Sequence, residues 1–287
     1  MLKIPFTKMH GIGNDFVMVN ALEAARWTGV DWQDLARKVC DRHFGIGSDG
    51  LIVILPSSLA DYRMRMLNPD GSEAQMCGNG IRCFARHVYD LGLTTSAELA
   101  IETLAGVKVV RLNVEDGKVA SVRVNMGAPI LEAARIPARI DAPTVKDYPL
   151  TVGEKTYLVS CVSMGNPHAI AFIDESEVDA LHLPAIGPLF EHHPMFPERT
   201  NTEFCVVLDR RSVRMRVWER GAGETLACGT GACASAVAAI LHNFVEAEVD
   251  LILDGGRLRI EWQGDGQPVY MTGPAEYVCD GEYYYGV

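Results

Sequence analysis

The chain has 287 residues, of which 37 are acidic and 26 basic, giving a formal net charge of −11 at pH 7. A composition that is 48 % hydrophobic and 22 % charged is that of a folded globular protein. The acidic balance excludes the basic surface that non-specific nucleic-acid or anionic-membrane binding requires. No apolar run is long enough to cross a bilayer. Met1–Pro5 lacks the apolar core and cleavage site of a secretory signal, so the expected compartment is the cytosol. The eight cysteines are spread along the whole chain, too sparsely for a disulfide scaffold, and free thiols are expected.

In chain order, Gly13-Asn14-Asp15-Phe16 reads as a loop. Asp31–Phe44, with Trp32, Leu35 and Val39 at helical spacing, reads as a peripheral amphipathic helix. Gly45-Ile-Gly-Ser-Asp-Gly50 matches the dinucleotide pattern in letters only. It follows a helix and opens the apolar strand Leu51–Leu55, where that motif must follow a strand and open a helix. Ile81–Leu91 is a breaker-free helix with Gly92 as its stop. Val107–Val114 and Val119–Met126 form a hairpin around Glu115-Asp116-Gly117. Further on, Val213, Met215 and Val217 alternate. Ala232–His242 is small and apolar on nearly every face, as a buried helix must be. Val249–Leu253 and Leu258–Trp262 pair around Asp254-Gly255-Gly256. His192-His193 reads as a solvated loop pair, and Tyr283-Tyr284-Tyr285 as strand packing.

Two segments repeat. Asn68-Pro-Asp-Gly-Ser-Glu-Ala-Gln-Met-Cys77-Gly-Asn-Gly80 aligns with Glu219-Arg-Gly-Ala-Gly-Glu-Thr-Leu-Ala-Cys228-Gly-Thr-Gly231 at an offset of 151 residues, Cys77 to Cys228. At an offset of 152, Asn14 meets Asn166, and Gly50–Leu55 lands on Thr202–Val207. Two homologous halves follow, each with an Asn loop and a Cys-Gly-x-Gly turn opening a helix. The predicted fold is α+β: two pseudo-symmetric lobes, each a mixed β-sheet or barrel wrapped around a central buried helix.

A cysteine at a helix N-terminus sits in the positive end of the helix dipole, which favours thiolate. The unobstructed glycine amides beside it make a carboxylate cradle. A lone cysteine in such a place is usually structural, but two at matched positions are wasteful as packing. Inverting a stereocentre needs one group to take a proton from one face and another to return one to the opposite face. A thiolate on one lobe and a thiol on the other meet that need without pyridoxal phosphate or another cofactor. The rival use, zinc, is poorly served: Cys77 and Cys83, or Cys228 and Cys233, are too far apart for the usual ligand spacing.

The segments Lys8–Phe16, Asn68–Glu73, Cys77–Cys83, Ser163–His168, Glu219–Thr225 and Ala227–Cys233, with Met271–Pro274 near the end, closely resemble the diaminopimelate epimerase family. The resemblance implies interconversion of LL- and meso-2,6-diaminoheptanedioate, a step towards lysine and peptidoglycan, by a homodimer without cofactor or metal. It implies Cys77 as proton donor and Cys228 as acceptor from LL to meso. Gly78, Asn79, Gly229 and Thr230 would hold the reacting carboxylate. Asn14, Asn68, Asn166, Asn201, Glu219 and Arg220 would hold the distal end. His168 and Glu219 would tune cysteine protonation. It also implies that the last residues return to the first lobe, giving lobes of 1–125 plus 274–287 and 126–273. Two positions depart from the pattern: Gly50 stands where some members have glutamine, and Cys279 where some have an interface tyrosine. The alternative is a two-cysteine racemase or epimerase of the proline or hydroxyproline type, which should lack the distal clamp of Glu219 and Arg220. A metal-binding or purely structural two-lobed protein is the alternative from outside enzymology.

Overall fold

Strand-forming runs and turn glycines alternate through the first half of the chain, and a computed structural model describes residues 2–286. The strands are β1 (Leu2–Gly11), β2 (Asn14–Asn20), β3 (Gly50–Leu55), β4 (Tyr62–Leu67), β5 (Glu73–Ala74), β6 (Glu98–Thr103), β7 (Gly106–Glu115) and β8 (Lys118–Gly127), with helices α1 (Trp32–Cys40) and α2 (Gly78–Asp90) between them. β1–β2, β3–β4, β4–β5, β6–β7 and β7–β8 pair antiparallel, whereas β2–β3 and β4–β6 pair parallel. The parallel pairs are those joined through a helix, as short antiparallel connections cannot make them. α2 packs against β1, β2, β3, β4 and β7, burying Ile81, Phe84, Ala85 and Val88 completely.

The second half repeats this order. β9 (Tyr148–Val152), β10 (Lys155–Ser163), β11 (Pro167–Phe172), β12 (Asn201–Asp209), β13 (Ser212–Glu219), β14 (Gly223–Thr225), β15 (Glu248–Leu253), β16 (Gly256–Glu261) and β17 (Val269–Gly273) accompany α3 (Glu175–Val178), α4 (Leu183–Glu191) and α5 (Gly229–Leu241). β10–β11, β12–β13, β13–β14, β15–β16 and β16–β17 are antiparallel; β11–β12 and β13–β15 are parallel. α5 packs against six of these strands. Its Ala-rich sequence lets strands approach on every side, where larger side chains would overpack the enclosure.

The chain divides into two units, Met1–Val124 with Gly273–Val287, and Asn125–Thr272. The first is completed by β18 (Glu276–Tyr285), which runs antiparallel to β1 from Leu2↔Tyr285 to His10↔Glu276. β9 holds the same place beside β10. The fold is therefore the expected α+β arrangement, one topology in two copies.

Two details differ from the sequence reading. The helix expected over Asp31–Phe44 is α1 alone. Asp31 caps its start, accepting from Gln33 N at 3.0 Å and Asp34 N at 3.1 Å. The Asp41 carboxylate accepts from His43 N and Phe44 N at 2.7 Å each and stops the helix. Phe44 is 92 % exposed, so no packing draws it back onto the helix. Replacing Asp31 with alanine is expected to cost about 1 kcal/mol, read as a lower urea midpoint at unchanged m-value.

The second difference concerns the repeat. Phe16 lies opposite Gly50 on β3, and His168 lies opposite Asn201 on β12. Ile52 pairs with Met66, and Glu203 with Val217. β3 thus matches β12 at an offset of 151, not 152, and Ile52 corresponds to Glu203. No hydrophobic pattern could fix that register, because a one-residue slip leaves both runs mostly apolar.

Candidate active site

Each Cys-Gly-x-Gly segment folds as a helix N-cap. Cys77 and Cys228 have extended backbone angles, φ −136° and −120°, and each Sγ accepts the N–H of the second glycine, Gly80 or Gly231, at 3.4 Å. The sulfur does what a serine or aspartate oxygen usually does at this position. The following amides, from Gly78-Asn79 and Gly229-Thr230, belong to the first helical turn, whose N–H groups have no partner within the helix.

In the first unit, the loop before β2 reverses through Ile12 (φ 50°) and Gly13 (φ 89°), which brings Asn14 to the cysteine. Asn14 Oδ1 lies 3.8 Å from Cys77 Sγ and accepts from Asn79 Nδ2 at 3.1 Å. Its Nδ2 donates to Asp49 at 2.7 Å, and Arg42 bridges Asp49 and Asp15. Asn79 Oδ1 accepts from Arg82, fully buried beneath the turn, which also reaches the carbonyls of Gly78 and Pro274. Asn14, Cys77, Gly78 and Asn79 are thus brought together. Asp49 and Arg82, which hold them, were not singled out from the sequence; an Arg at helical spacing and an Asp in a glycine loop carry no signal alone. Asn68 bonds within its own turn, to Ser72 Oγ at 2.9 Å. At Gly50 a side chain would run into Met66, so this chain fills with methionine the space that a larger residue would need.

In the second unit, Asn166 donates to Thr230 Oγ1 at 3.3 Å, and that hydroxyl lies 3.5 Å from Cys228 Sγ. Asn166 Oδ1 is 3.1 Å from His168 Nε2. His168 is completely buried, and its Nδ1 is 2.6 Å from Oε1 of Glu203, which the sequence reading passed over as part of an apolar strand. Glu219 Oε1 accepts from Thr225 at 2.5 Å, and burial pushes the Glu219 carboxyl above its ordinary range. Asn201 Nδ2 donates to Pro167 O at 2.8 Å, and its Oδ1 accepts the Arg220 amide at 2.9 Å. The Arg220 guanidinium is exposed and bonds Glu198 O at 2.9 Å.

Electrostatics weigh on Cys228. Burial, then Glu219 and Glu203, push the Cys228 thiol well up; its contacts with Thr230 and Gly231 N–H oppose this less strongly. At Cys228, lost hydration and two carboxylates therefore work against the helix dipole, which by itself favours thiolate. Cys205 and Cys83 are pushed up by burial to about 12, as befits thiols that only pack. Cys279 is exposed on β18, opposite Lys8.

Cysteines capping buried helices on two copies of one α+β topology define a class of fold that solved structures share. A structure described as a probable proline racemase from Agrobacterium radiobacter K84 superposes with a TM-score of 0.70, covering 99 % of this chain and 93 % of that one, at 16 % identity. Closer kinship is in sequence. Diaminopimelate epimerase of Moorella thermoacetica is 55 % identical over 97 % of this chain and 98 % of its own. That of Acetivibrio thermocellus is 53 % identical over 96 % and 97 %. The family model for diaminopimelate epimerase matches residues 6–132 and 160–278. The chain belongs to the diaminopimelate epimerase family.

Proposed function

We propose that this protein interconverts LL- and meso-2,6-diaminoheptanedioate, with Cys77 and Cys228 as its two acid–base groups and no cofactor. The observation that carries the reading is the matched pair of cysteine caps, each with Sγ 3.4 Å from a glycine amide, in a member of this family. A thiolate removes the α-proton from one face of the substrate carbon and a thiol returns one to the other. The carboxylate on that carbon gains charge as the proton leaves. Amides of Gly78, Asn79, Gly229 and Thr230 hold it, and helix N-termini suit a developing anion.

From LL to meso, Cys77 donates and Cys228 accepts. Both resting forms carry one proton between two sulfurs, and they differ only in which sulfur holds it. Asn14, Asn68, Asn166, Asn201, Glu219 and Arg220 hold the distal amino-acid end, an arginine suiting its carboxylate and a glutamate its ammonium. A substrate without that end would leave those polar groups unpaired. His168 and Glu219 set cysteine protonation. The proposal places the enzyme in the cytosol, in lysine biosynthesis, as a homodimer with lobes of 1–125 plus 274–287 and 126–273. Tyr277, Val278 and Tyr284, exposed along β18, are apolar surface suited to a second copy.

Incubation with LL-diaminopimelate in deuterated water, without pyridoxal phosphate, should yield meso product carrying deuterium at the inverted carbon. Absence of both product and exchange overturns the assignment. Turnover of proline or hydroxyproline in place of diaminopimelate would move it to the other two-cysteine class.

A further inference from the structure

The best-buried acid of the second unit has no part in the chemistry above. Glu203 on β12 is completely buried. Its Oε1 holds His168 Nδ1 at 2.6 Å, while Oε2 has no hydrogen-bond partner. A bare buried carboxylate oxygen is costly and rare in native structures.

The repeat supplies an internal comparison. A Cβ built on Gly80 would come 2.8 Å from Ile52 Cδ1, and one built on Gly231 would come 2.6 Å from Glu203 Oε1. Ile52 and Glu203 therefore occupy the same station beneath the first turn of α2 and α5. Beside them, Phe16 and His168 also correspond, each buried opposite the first residue of the adjacent parallel strand. An apolar pair, Phe16 and Ile52, lies under one cysteine turn, and an ionisable pair, His168 and Glu203, under the other. The caps themselves are alike, with the same 3.4 Å contact.

We propose that Glu203 is a positioning residue for the reaction: bonded to Nδ1, it fixes the ring of His168, turns Nε2 to Asn166, and places beneath the Cys228 turn a carboxylate where the Cys77 turn has Ile52. This rests on the two-thiol reading above. Asn166 passes the constraint on through Thr230 to Cys228 Sγ. The titratable groups around Glu203 are His168 from β11, Glu219 at the end of β13, Cys228 at the start of α5, Cys161 on β10 and Cys205 on β12. Among them the carboxylates of Glu203 and Glu219 oppose loss of the Cys228 proton. Two motifs of one sequence pattern are in this way made chemically unequal, because Ile52 and Asn68 stand at the first-unit positions of Glu203 and Glu219.

The sign of the test follows. Glu203→Gln removes a like charge, so Cys228 gives up its proton at lower pH. The alkaline limb of the kcat/KM profile should then move towards neutrality by roughly one pH unit. With the ring less well held, kcat should fall about tenfold and KM change less than about twofold. Glu203→Asp, which keeps the charge, should keep the native alkaline limb. Equal limbs in native enzyme and Glu203→Gln, whatever the loss of rate, overturn the proposal. In native protein with 15N-labelled histidine, the His168 ring signal, assigned by its loss in His168→Gln, should show a strongly downfield proton on Nδ1. An Nε2-only proton overturns the proposal even if the Glu203 variants fail to fold. Native enzyme without turnover would sink the epimerase assignment, whereas active native enzyme with unmoved limbs in Glu203→Gln sinks only the role of Glu203.

Discussion

Replacing Cys228 with serine is expected to leave a protein that folds and melts normally but epimerises about 10³–10⁴-fold more slowly. In the proposed mechanism the cysteine has two jobs, and serine keeps one of them. As N-cap of α5 it accepts from Gly231 N, and a serine hydroxyl accepts that bond at least as well. As acid and base it must exchange a proton near neutral pH, which an alcohol cannot do. Cys228→Ala should lose as much activity and also about 1 kcal/mol of stability, because the cap goes too. The same pair of results is expected at Cys77, which caps α2 through Gly80 N. Cys279→Ser, at an exposed thiol, should change neither property. Deuterium exchange and thermal melts on the five variants check this. Retention of more than about a tenth of native kcat in either Cys→Ser variant would remove that sulfur from the mechanism.

Gly187→Ala is expected to be the most damaging single-methyl change in the second unit. Glycine within a helix costs roughly 0.5–1 kcal/mol relative to alanine, so this substitution in α4 ought to stabilise. At this position the methyl would fall inside the Trp218 ring. The ring has little freedom to withdraw, because Nε1 donates to the buried Glu191 Oε2 at 2.8 Å. The same Glu191 receives Gly221 N at 3.1 Å, just beyond Glu219 and Arg220. Overpacking against a tethered aromatic costs about 3 kcal/mol, which outweighs the propensity gain. Thermal denaturation should show a net loss of at least about 2 kcal/mol; an unchanged or raised Tm would show that α4 can slide away from Trp218.

Much of the fold was legible because the chain states it twice. The cysteine caps, the buried helix Ala232–His242 and the hairpin over Val107–Met126 rest on local patterns: a turn sequence, a helix apolar all round, strict alternation. What escaped notice depends on distant partners. Glu203 sits in an apolar run, where a charged residue ordinarily faces water; only its bond to His168, brought alongside by the parallel pairing of β11 with β12, makes it an interior residue. Arg82 escaped for the same reason, since its acceptors include the carbonyl of Pro274, distant in sequence. At Cys228 the helix polarity was legible because it is a local property, whereas the carboxylates that oppose it arrive on β12 and β13.

The pairing of β1 with β18 has a consequence for biosynthesis. Leu2 and Tyr285 are register partners, so β1, once it leaves the ribosome, must wait for a strand more than 260 residues further on before that ladder can form. Every residue of Asn125–Thr272 emerges in between as one uninterrupted stretch, free to mature during translation. Until β18 arrives, β1 presents unpaired amides and carbonyls, the kind of bare margin at which nascent chains stick to one another. Crowded synthesis or elevated temperature should therefore trap this polypeptide as aggregates seeded from β1, and slowing elongation alone would prolong the danger.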